Sequence, residues 1–154
     1  MAENRVSAQL SKEDQAAVLA AIDTIRQKLP FLIDLTPEER RNLPKMGDKS
    51  RAFVSQALEV ATQNSSFLPR SFDVEEMRRD VELAAALEPI TTALTQLQEL
   101  VDDTYTAVGS EAYSAGLVVY HYGRQSGAGE ALDHLLEGMG QRFARKSRGT
   151  PKQG

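Results

Sequence analysis

The sequence predicts an all-α protein, a mainly antiparallel bundle of four to five helices with one long central helix. Apolar residues between Asp73 and Gln125 recur at intervals of three or four, which places them on one side of a helix. Capping residues and prolines also stand where further helices begin and end. The residues of this apolar stripe are Leu83, Leu87, Ile90, Leu94, Leu97, Val101, Tyr105, Val108, Ala112, Ala115, Val119 and Tyr122.

Length and composition fit one ordinary globular domain. The chain has 154 residues, of which 41% are hydrophobic and 26% charged, as is typical of globular proteins. The net charge of −4 argues against a general nucleic-acid binder, which needs a basic face. The absence of cysteine excludes disulfides, thiolate zinc sites and thiol catalysis.

The first helix is predicted between Ser11 and Pro30. Ser11 can cap its amino end, acidic residues fill its first turn, and Pro30 ends it. Residues 1–9 before it are expected to be frayed. The buried face of this helix would be formed by Val18, Ile22, Ile25 and Leu29.

A short second helix follows the capping box that Thr36 and Glu39 can form, with Pro37 at the first helical position. The segment Leu43-Pro44 should end it within two turns. A third helix, capped by Asp48 or Ser50, would come next. Its predicted buried face consists of Phe53, Val54, Ala57, Leu58 and Ala61.

The fourth helical segment begins at the cap residue Asp73 and leads to the central helix, predicted over Ile90–Gln125. Pro89 should kink or divide the pattern. Glycine weakens a helix by about 1 kcal/mol, so Gly109 could also break it. Because the stripe crosses Gly109 without losing phase, one continuous helix is favoured over two.

The last helix is predicted from about Glu130 to Arg145, with a basic carboxyl end that suits the helix dipole. One bundle domain would then cover residues 10–146, and residues 147–154 would be a disordered basic tail. Its inward residues would be Leu132, Leu135, Leu136, Met139 and Phe143. An amphipathic helix of this kind usually covers the core; the alternative is docking on a partner or an anionic membrane.

The central helix also carries small residues and tyrosines side by side. Small residues let two helices approach closely, and tyrosine suits interfaces because it buries a ring and keeps a polar end. The contact could be a subunit interface or a helix crossing within the fold. The predicted contact residues are Tyr105, Ala112, Tyr113, Gly116, Tyr120 and Tyr122.

A polar face of the same helix is the alternative site. Asp102, Asp103, Glu111 and His121 could hold a small molecule or a metal, as facing residues do in some bundles. On one straight helix, however, Glu111 and His121 would lie roughly 15 Å apart, too far to share an ion. A polar seam or subunit contact is therefore the favoured interpretation, and no metal site is predicted.

Two weaker candidates lie elsewhere. Glu130, His134 and Glu137 share a helix face and could supply half a zinc site, but no second helix rich in ligands is evident. The segment 47–50 departs from the phosphate-loop pattern and is best interpreted as a turn with a helix cap. The basic residues in and beside this segment, Lys45, Lys49 and Arg51, could still bind an anion near a helix amino end.

Two stretches, residues 35–49 and 102–113, resemble a family of small uncharacterised bacterial proteins. The first runs Leu-Thr-Pro-Glu-Glu-Arg into Leu-Pro-Lys-Met-Gly-Asp-Lys, and the second joins Asp-Asp-Thr to Gly-Ser-Glu-Ala-Tyr. The resemblance covers roughly residues 30–145. It implies an all-helical bacterial protein and brings no assigned activity.

We therefore expect a non-catalytic helical scaffold or interaction module that self-associates through its central helix, with a homo-oligomer or another protein as partner. The alternative is a small-molecule- or metal-binding bundle, which could be an enzyme. No cofactor and no nucleic acid are expected. Without a signal peptide in residues 1–9 or an apolar run of about 20 residues, we expect a cytoplasmic location and no membrane span.

Overall fold

A computed structural model describes residues 4–127 and 129–141 of the chain. Within these residues every regular element is an α-helix, as the sequence predicted, and there is no strand. The helices are α1 (Lys12–Lys28), α2 (Pro37–Asn42), α3 (Asp48–Gln63), α4 (Val74–Ser126) and α5 (Glu130–Gly140).

Local capping chemistry sets the first two helices, where the sequence predicted it. The Ser11 hydroxyl accepts a hydrogen bond from the Asp14 N–H at 3.0 Å. Thr36 and Glu39 form the reciprocal capping box, in which each side chain accepts from the other's main-chain N–H. Helix α2 then ends at Asn42, directly before Leu43-Pro44, since the residue before a proline avoids helical geometry.

The predicted cap of α3 is wrong. Gly47 is the cap residue and makes no side-chain hydrogen bond to the helix, while Asp48 is already the first helical residue. The Asp48 carboxylate instead pairs with Arg51 one turn later. A carboxylate in the first turn favours the helix through its dipole, so the end is stabilised without a side-chain cap.

Helix α4 is longer than predicted. It is continuous from Val74, with Pro89 inside it, so the expected start at Ile90 and a division at Pro89 are wrong. Proline removes one hydrogen bond to the preceding turn, but the alanine- and leucine-rich turns on both sides are strong helix formers. The Asp73 carboxylate caps its amino end, accepting from the Glu76 N–H at 3.0 Å. The predicted continuity across Gly109 is confirmed.

The first turns of α4 carry ion pairs at a spacing of three residues. Arg78 pairs with Glu75 at 3.5 Å, and Arg79 pairs with Glu76. This spacing brings side chains together on a helix. With the spacing of three, an Arg78 guanidinium nitrogen also donates to the Thr62 hydroxyl of α3, at 3.0 Å.

The chain forms two compact units. The amino-terminal unit comprises residues 8–98, with α1, α2, α3 and the first part of α4. There α3 contacts α4 through Arg78 and Thr62, and through an ion pair between Arg51 and Glu88. Because α4 contributes to both units, the single domain over residues 10–146 stays a prediction.

The described residues of the carboxyl-terminal unit are 99–127 and 129–141 together with 4–7. The described connection from α4 to α5 includes Gly127 and Gly129, whose φ angles are +60° and +98°, a region that favours glycine. Leu136 of α5 is 3% exposed and lies over Gly123 of α4. A Cβ added at Gly123 would stand 3.0 Å from a Leu136 methyl carbon.

Burial is much lower than the predicted faces require. In the described part of the chain, Ala61 and Leu136 are the only buried hydrophobic side chains. Helix α1 has no buried residue, and Phe53, predicted inward on α3, is 70% exposed. Leu135 and Met139, predicted inward on α5, are also exposed. Phe143 and the predicted tail lie outside the described residues.

Candidate functional site

Much of the apolar stripe of α4 is exposed to solvent. Tyr105 is 80% exposed, Val119 63%, Leu97 57% and Val101 56%. Leu87 and Ile90 are half-buried. Scattered exposed apolar residues are normal, whereas a contiguous apolar face typically marks an interaction site.

The six predicted contact residues fall into two groups. Tyr105, Ala112 and Tyr122 are exposed on the stripe. The other three line a groove of about 370 Å³ beside α5, as Ala112 also does, together with Gly138 and Met139. This second group consists of Tyr113, Gly116 and Tyr120.

The glycines of α4 lie in two different surroundings, which bear on whether the small residues form a helix crossing or a subunit interface. Gly123 lies against Leu136, and the Tyr120 hydroxyl oxygen would stand 3.0 Å from a Cβ added at Gly140, so this end is a helix crossing within the fold. A Cβ added at Gly109 or Gly116 would meet nothing within 4 Å. Of the three glycines of α4, these two leave room for a closer approach by another helix.

Two of the four predicted ligand residues share a second groove. Asp103 and Glu111 line a groove of about 800 Å³ with Thr104, Ser110 and Arg5. The Arg5 main-chain N–H donates to a Glu111 carboxylate oxygen at 2.6 Å. The half-buried Glu111 carboxylate therefore already holds the amino-terminal segment.

The other two predicted ligand residues, Asp102 and His121, do not line this groove. His121 Nε2 lies 3.1 Å from the Gln125 side-chain nitrogen, and its ring meets the Tyr122 ring edge to face, with centroids 5.7 Å apart. Since α4 is unbroken between Glu111 and His121, the two side chains stay almost three turns apart.

Metal ligation finds little support in the described segments. No three histidine, aspartate or glutamate side chains in residues 4–127 and 129–141 are grouped closely enough to hold an ion. Glu130, His134 and Glu137 are exposed on α5.

Two of the three basic residues predicted to bind an anion near α3 contact acceptors of the protein instead. The Lys45 ammonium donates to the main-chain carbonyls of Arg40 and Leu43, the latter at 3.0 Å. Arg51 pairs with Glu88 and Asp48, and hydrogen bonding to these carboxylates, chiefly Glu88, raises the pKa of Arg51. Two of the three cations therefore face acceptors of the protein itself.

Sequence reasoning missed an apolar groove of about 470 Å³ in the amino-terminal unit. Its lining includes Phe67 and Phe72 from the loop after α3, and Phe53 and Ala61 from α3 itself. The available signal was two phenylalanines in a loop rich in serine and proline. No role was assigned to these aromatic residues from the sequence.

Two further findings concern membrane-spanning helices and similarity to known proteins. Over the described part of the chain, no helix combines the length and apolar character that crossing a bilayer requires. Comparisons with protein-family models, curated proteins and solved structures found no match. The resemblance to small bacterial proteins therefore stays an expectation, and the geometry of α4 must carry the functional argument.

Proposed function

We propose that this protein is a non-catalytic helical scaffold that self-associates through the apolar stripe of α4. The observation that carries the proposal is the exposure of that stripe, with Val101 56% and Tyr105 80% exposed. A scaffold needs no reactive group. It needs only a face whose removal from water lowers the free energy.

Covering the stripe would contribute a substantial favourable free energy. Burying apolar surface contributes roughly 25 cal/mol per Å², so fully covering one leucine or valine contributes about 1.5–3 kcal/mol. In the described residues a single copy buries only Ala61 and Leu136 among its hydrophobic side chains. Association would supply the missing core, and the four- to five-helix bundle expected from the sequence would be completed between chains.

Mass measured against concentration tests this proposal. We expect native mass spectrometry and light scattering to give an oligomer of the 16.9 kDa chain, dissociating on dilution within roughly 1–100 µM as mass action requires. A monomer throughout that range, with no other protein bound, would sink the scaffold proposal.

A matched pair of variants ties the oligomer to the stripe. Val101→Asp places a carboxylate in the apolar contact, at a cost of about 3 kcal/mol, which is roughly 100-fold in Kd. Gln96→Asp makes the same charge change at an exposed position that the helical period places away from the stripe. We expect Val101→Asp to be monomeric and Gln96→Asp to keep the parent mass; equal masses would contradict the assignment.

A second matched comparison concerns the groove beside α5. Gly116→Arg fills space in which an added Cβ meets nothing within 4 Å, so the single chain should still fold. If the contact includes this groove, the oligomer mass falls. An unchanged mass and fold would remove Gly116 from the contact and restrict it to the exposed stripe.

The second candidate is a small-molecule-binding bundle, which the groove at Asp103 and Glu111 supports. Its test is a bound mass in the native spectrum of the purified protein. If such a mass is present, Glu111→Ala should remove it, while His121→Ala should not, because His121 lies outside that groove. If the purified natural protein carries no bound mass, the scaffold is favoured.

The proposal also keeps three expectations drawn from the sequence: a cytoplasmic location, a protein partner, and no nucleic acid. The net charge of −4 supports the last of these. Binding of the full chain to duplex DNA or RNA at about 0.15 M salt, where non-specific contacts are weak, would contradict it.

A further inference from the structure

We propose that the partner of the apolar stripe is a second copy of this chain, packed antiparallel to the first with the two-fold axis at Val101. This inference rests on the proposed scaffold function and specifies its geometry. It concerns the stretch of α4 from Leu83 to Val119, which is continuous helix.

The spacing of the stripe defines the centre. Apolar residues stand four, seven, eleven, fourteen and eighteen positions from Val101 in both directions. This series averages about 3.6 residues per turn, the period of a straight α-helix, so the two helices need no supercoil to stay in contact. When one copy is reversed about Val101, every stripe residue from Leu83 to Val119 meets a stripe residue of the other copy.

A parallel pair in register would overlap equally well, so the size of the side chains must decide the direction. The half of the stripe before Val101 consists only of leucine and isoleucine. The half after it, as far as Val119, has Ala112, Ala115 and two valines, with Tyr105 as its one large residue. One half of the stripe is therefore large and the other small.

Antiparallel packing combines the two halves in every layer. Ile90 of one copy would meet Ala112 of the other, and Leu87 would meet Ala115. A parallel pair would instead place leucine on leucine at one end and alanine on alanine at the other. Those ends would need different distances between the helix axes, and protein interiors tolerate neither gaps nor overlap.

Charge acts weakly against the pairing, because the stretch from Leu83 to Val119 carries five acidic residues and no lysine or arginine. The helical period places Glu99 and Asp103 on the side of α4 away from the stripe, whereas Asp102 and Glu111 flank it. Antiparallel helices bring opposite ends of their dipoles together, which favours this direction.

The area suffices for a specific dimer. The stretch from Leu83 to Val119 rises about 54 Å, and a helix is about 10 Å wide, so each copy would cover roughly 500–600 Å². The total of about 1,000–1,200 Å² reaches the lower end of specific interfaces. We therefore expect a dimer that dissociates on dilution.

Single cysteines test both the direction and the register, because the natural chain has none and any disulfide must come from the introduced residue. The full-length variants are Val101→Cys, Leu97→Cys and Tyr105→Cys, with Gln96→Cys as the control. Under mild oxidation Val101→Cys should shift from 16.9 kDa to a disulfide-linked species of twice that mass.

The variants at 97 and 105 separate the two directions. In the antiparallel dimer, two copies of Leu97→Cys hold their thiols eight residues apart, about 12 Å along the axis, beyond the reach of a disulfide. Neither Leu97→Cys nor Tyr105→Cys should link alone, whereas a mixture of the two should. Gln96→Cys should not link in either case.

The opposite outcomes are distinguishable. Linking of Leu97→Cys and Tyr105→Cys each with itself indicates a parallel dimer, which overturns this inference and leaves the scaffold function intact. Linking of Tyr105→Cys with itself while Val101→Cys stays unlinked indicates another register and overturns it equally. A monomer by mass with no linking in any variant overturns the inference and the scaffold function together.

Discussion

The two units bury their apolar side chains in different ways. In the amino-terminal unit the buried residue is small: Ala61 of α3 is 5% exposed and lies among phenylalanines that remain largely exposed. In the carboxyl-terminal unit the buried residue is large, because Leu136 of α5 covers Gly123 of α4. Close packing thus occurs at a small residue of α3 in one unit and at a glycine of α4 in the other.

Polar contacts follow the same division. Contacts between α3 and α4 include the Arg51–Glu88 ion pair and a hydrogen bond from Arg78 to Thr62, both on exposed or half-buried side chains that water can screen. The contact between α4 and α5 depends on close approach at glycine. We therefore expect ionic strength to affect the contact between α3 and α4 more than the contact between α4 and α5.

The largest effect should come from Leu136→Ala. Removing a buried leucine costs about 2–5 kcal/mol, and α5 has no other buried side chain among its described residues. Hydrogen exchange of the amides of residues 130–140 should then lose its protection. Leu135→Ala is the matched control, since Leu135 is 67% exposed on the same helix; equal loss in both variants would refute the assigned packing.

Ala61→Leu tests the amino-terminal unit by adding side-chain volume instead of removing it. The added volume at a nearly closed position should destabilise by about 1–3 kcal/mol, measured as a lower urea midpoint. Ala52→Leu makes the same substitution at an exposed position of α3 and should change the midpoint little. If Ala61→Leu were stabilising, the neighbouring groove would be a cavity that the larger side chain fills.

A smaller effect is expected from Arg51. Arg51→Ala and Glu88→Ala, alone and combined, form a double-mutant cycle that isolates their coupling. We expect a small favourable coupling that declines as salt screens the charges. A coupling that persists at about 1 M salt would mean that the pair is shielded from solvent, contrary to the exposure of both side chains.

The smallest effect concerns the pH dependence of α2. Hydrogen bonds from the Thr36 main chain and then its side chain lower the pKa of Glu39. A carboxylate whose pKa is lowered in the folded state stabilises it above the unfolded pKa, and this contribution is lost as pH falls through the folded pKa. Amide protection in α2 should therefore fall in that acidic range, whereas Glu39→Gln, which cannot ionise, should remove the dependence.

Sequence reasoning succeeded where the deciding interactions are local. The caps at Ser11 and Thr36, the end of α2 before Leu43 and the continuity of α4 across Gly109 all depend on neighbours within about one turn. The division at Pro89 was wrongly predicted because the cost of proline was weighed without the strong helix formers around it. The cap of α3 was misjudged because Asp48 pairs with Arg51 instead.

Contacts between distant residues could not be predicted in this way. Arg5 and Glu111 are 106 positions apart in the chain, and nothing in either segment indicates the other. The selection of Leu136 over Leu135 as the buried leucine likewise depends on how α5 turns back through the glycines after α4. The stripe itself was evident from its spacing, whereas its exposure required the structure.

The absence of lysine and arginine between Arg79 and Arg124 has a practical consequence. Trypsin cuts after these two residue types, so it has no site from Asp80 to Gly123. Complete digestion of the unfolded chain should therefore release one long peptide that carries the whole stripe from Leu83 to Tyr122. The protease would deliver the helix segment in a single piece, ready to be assayed for pairing apart from the rest of the chain.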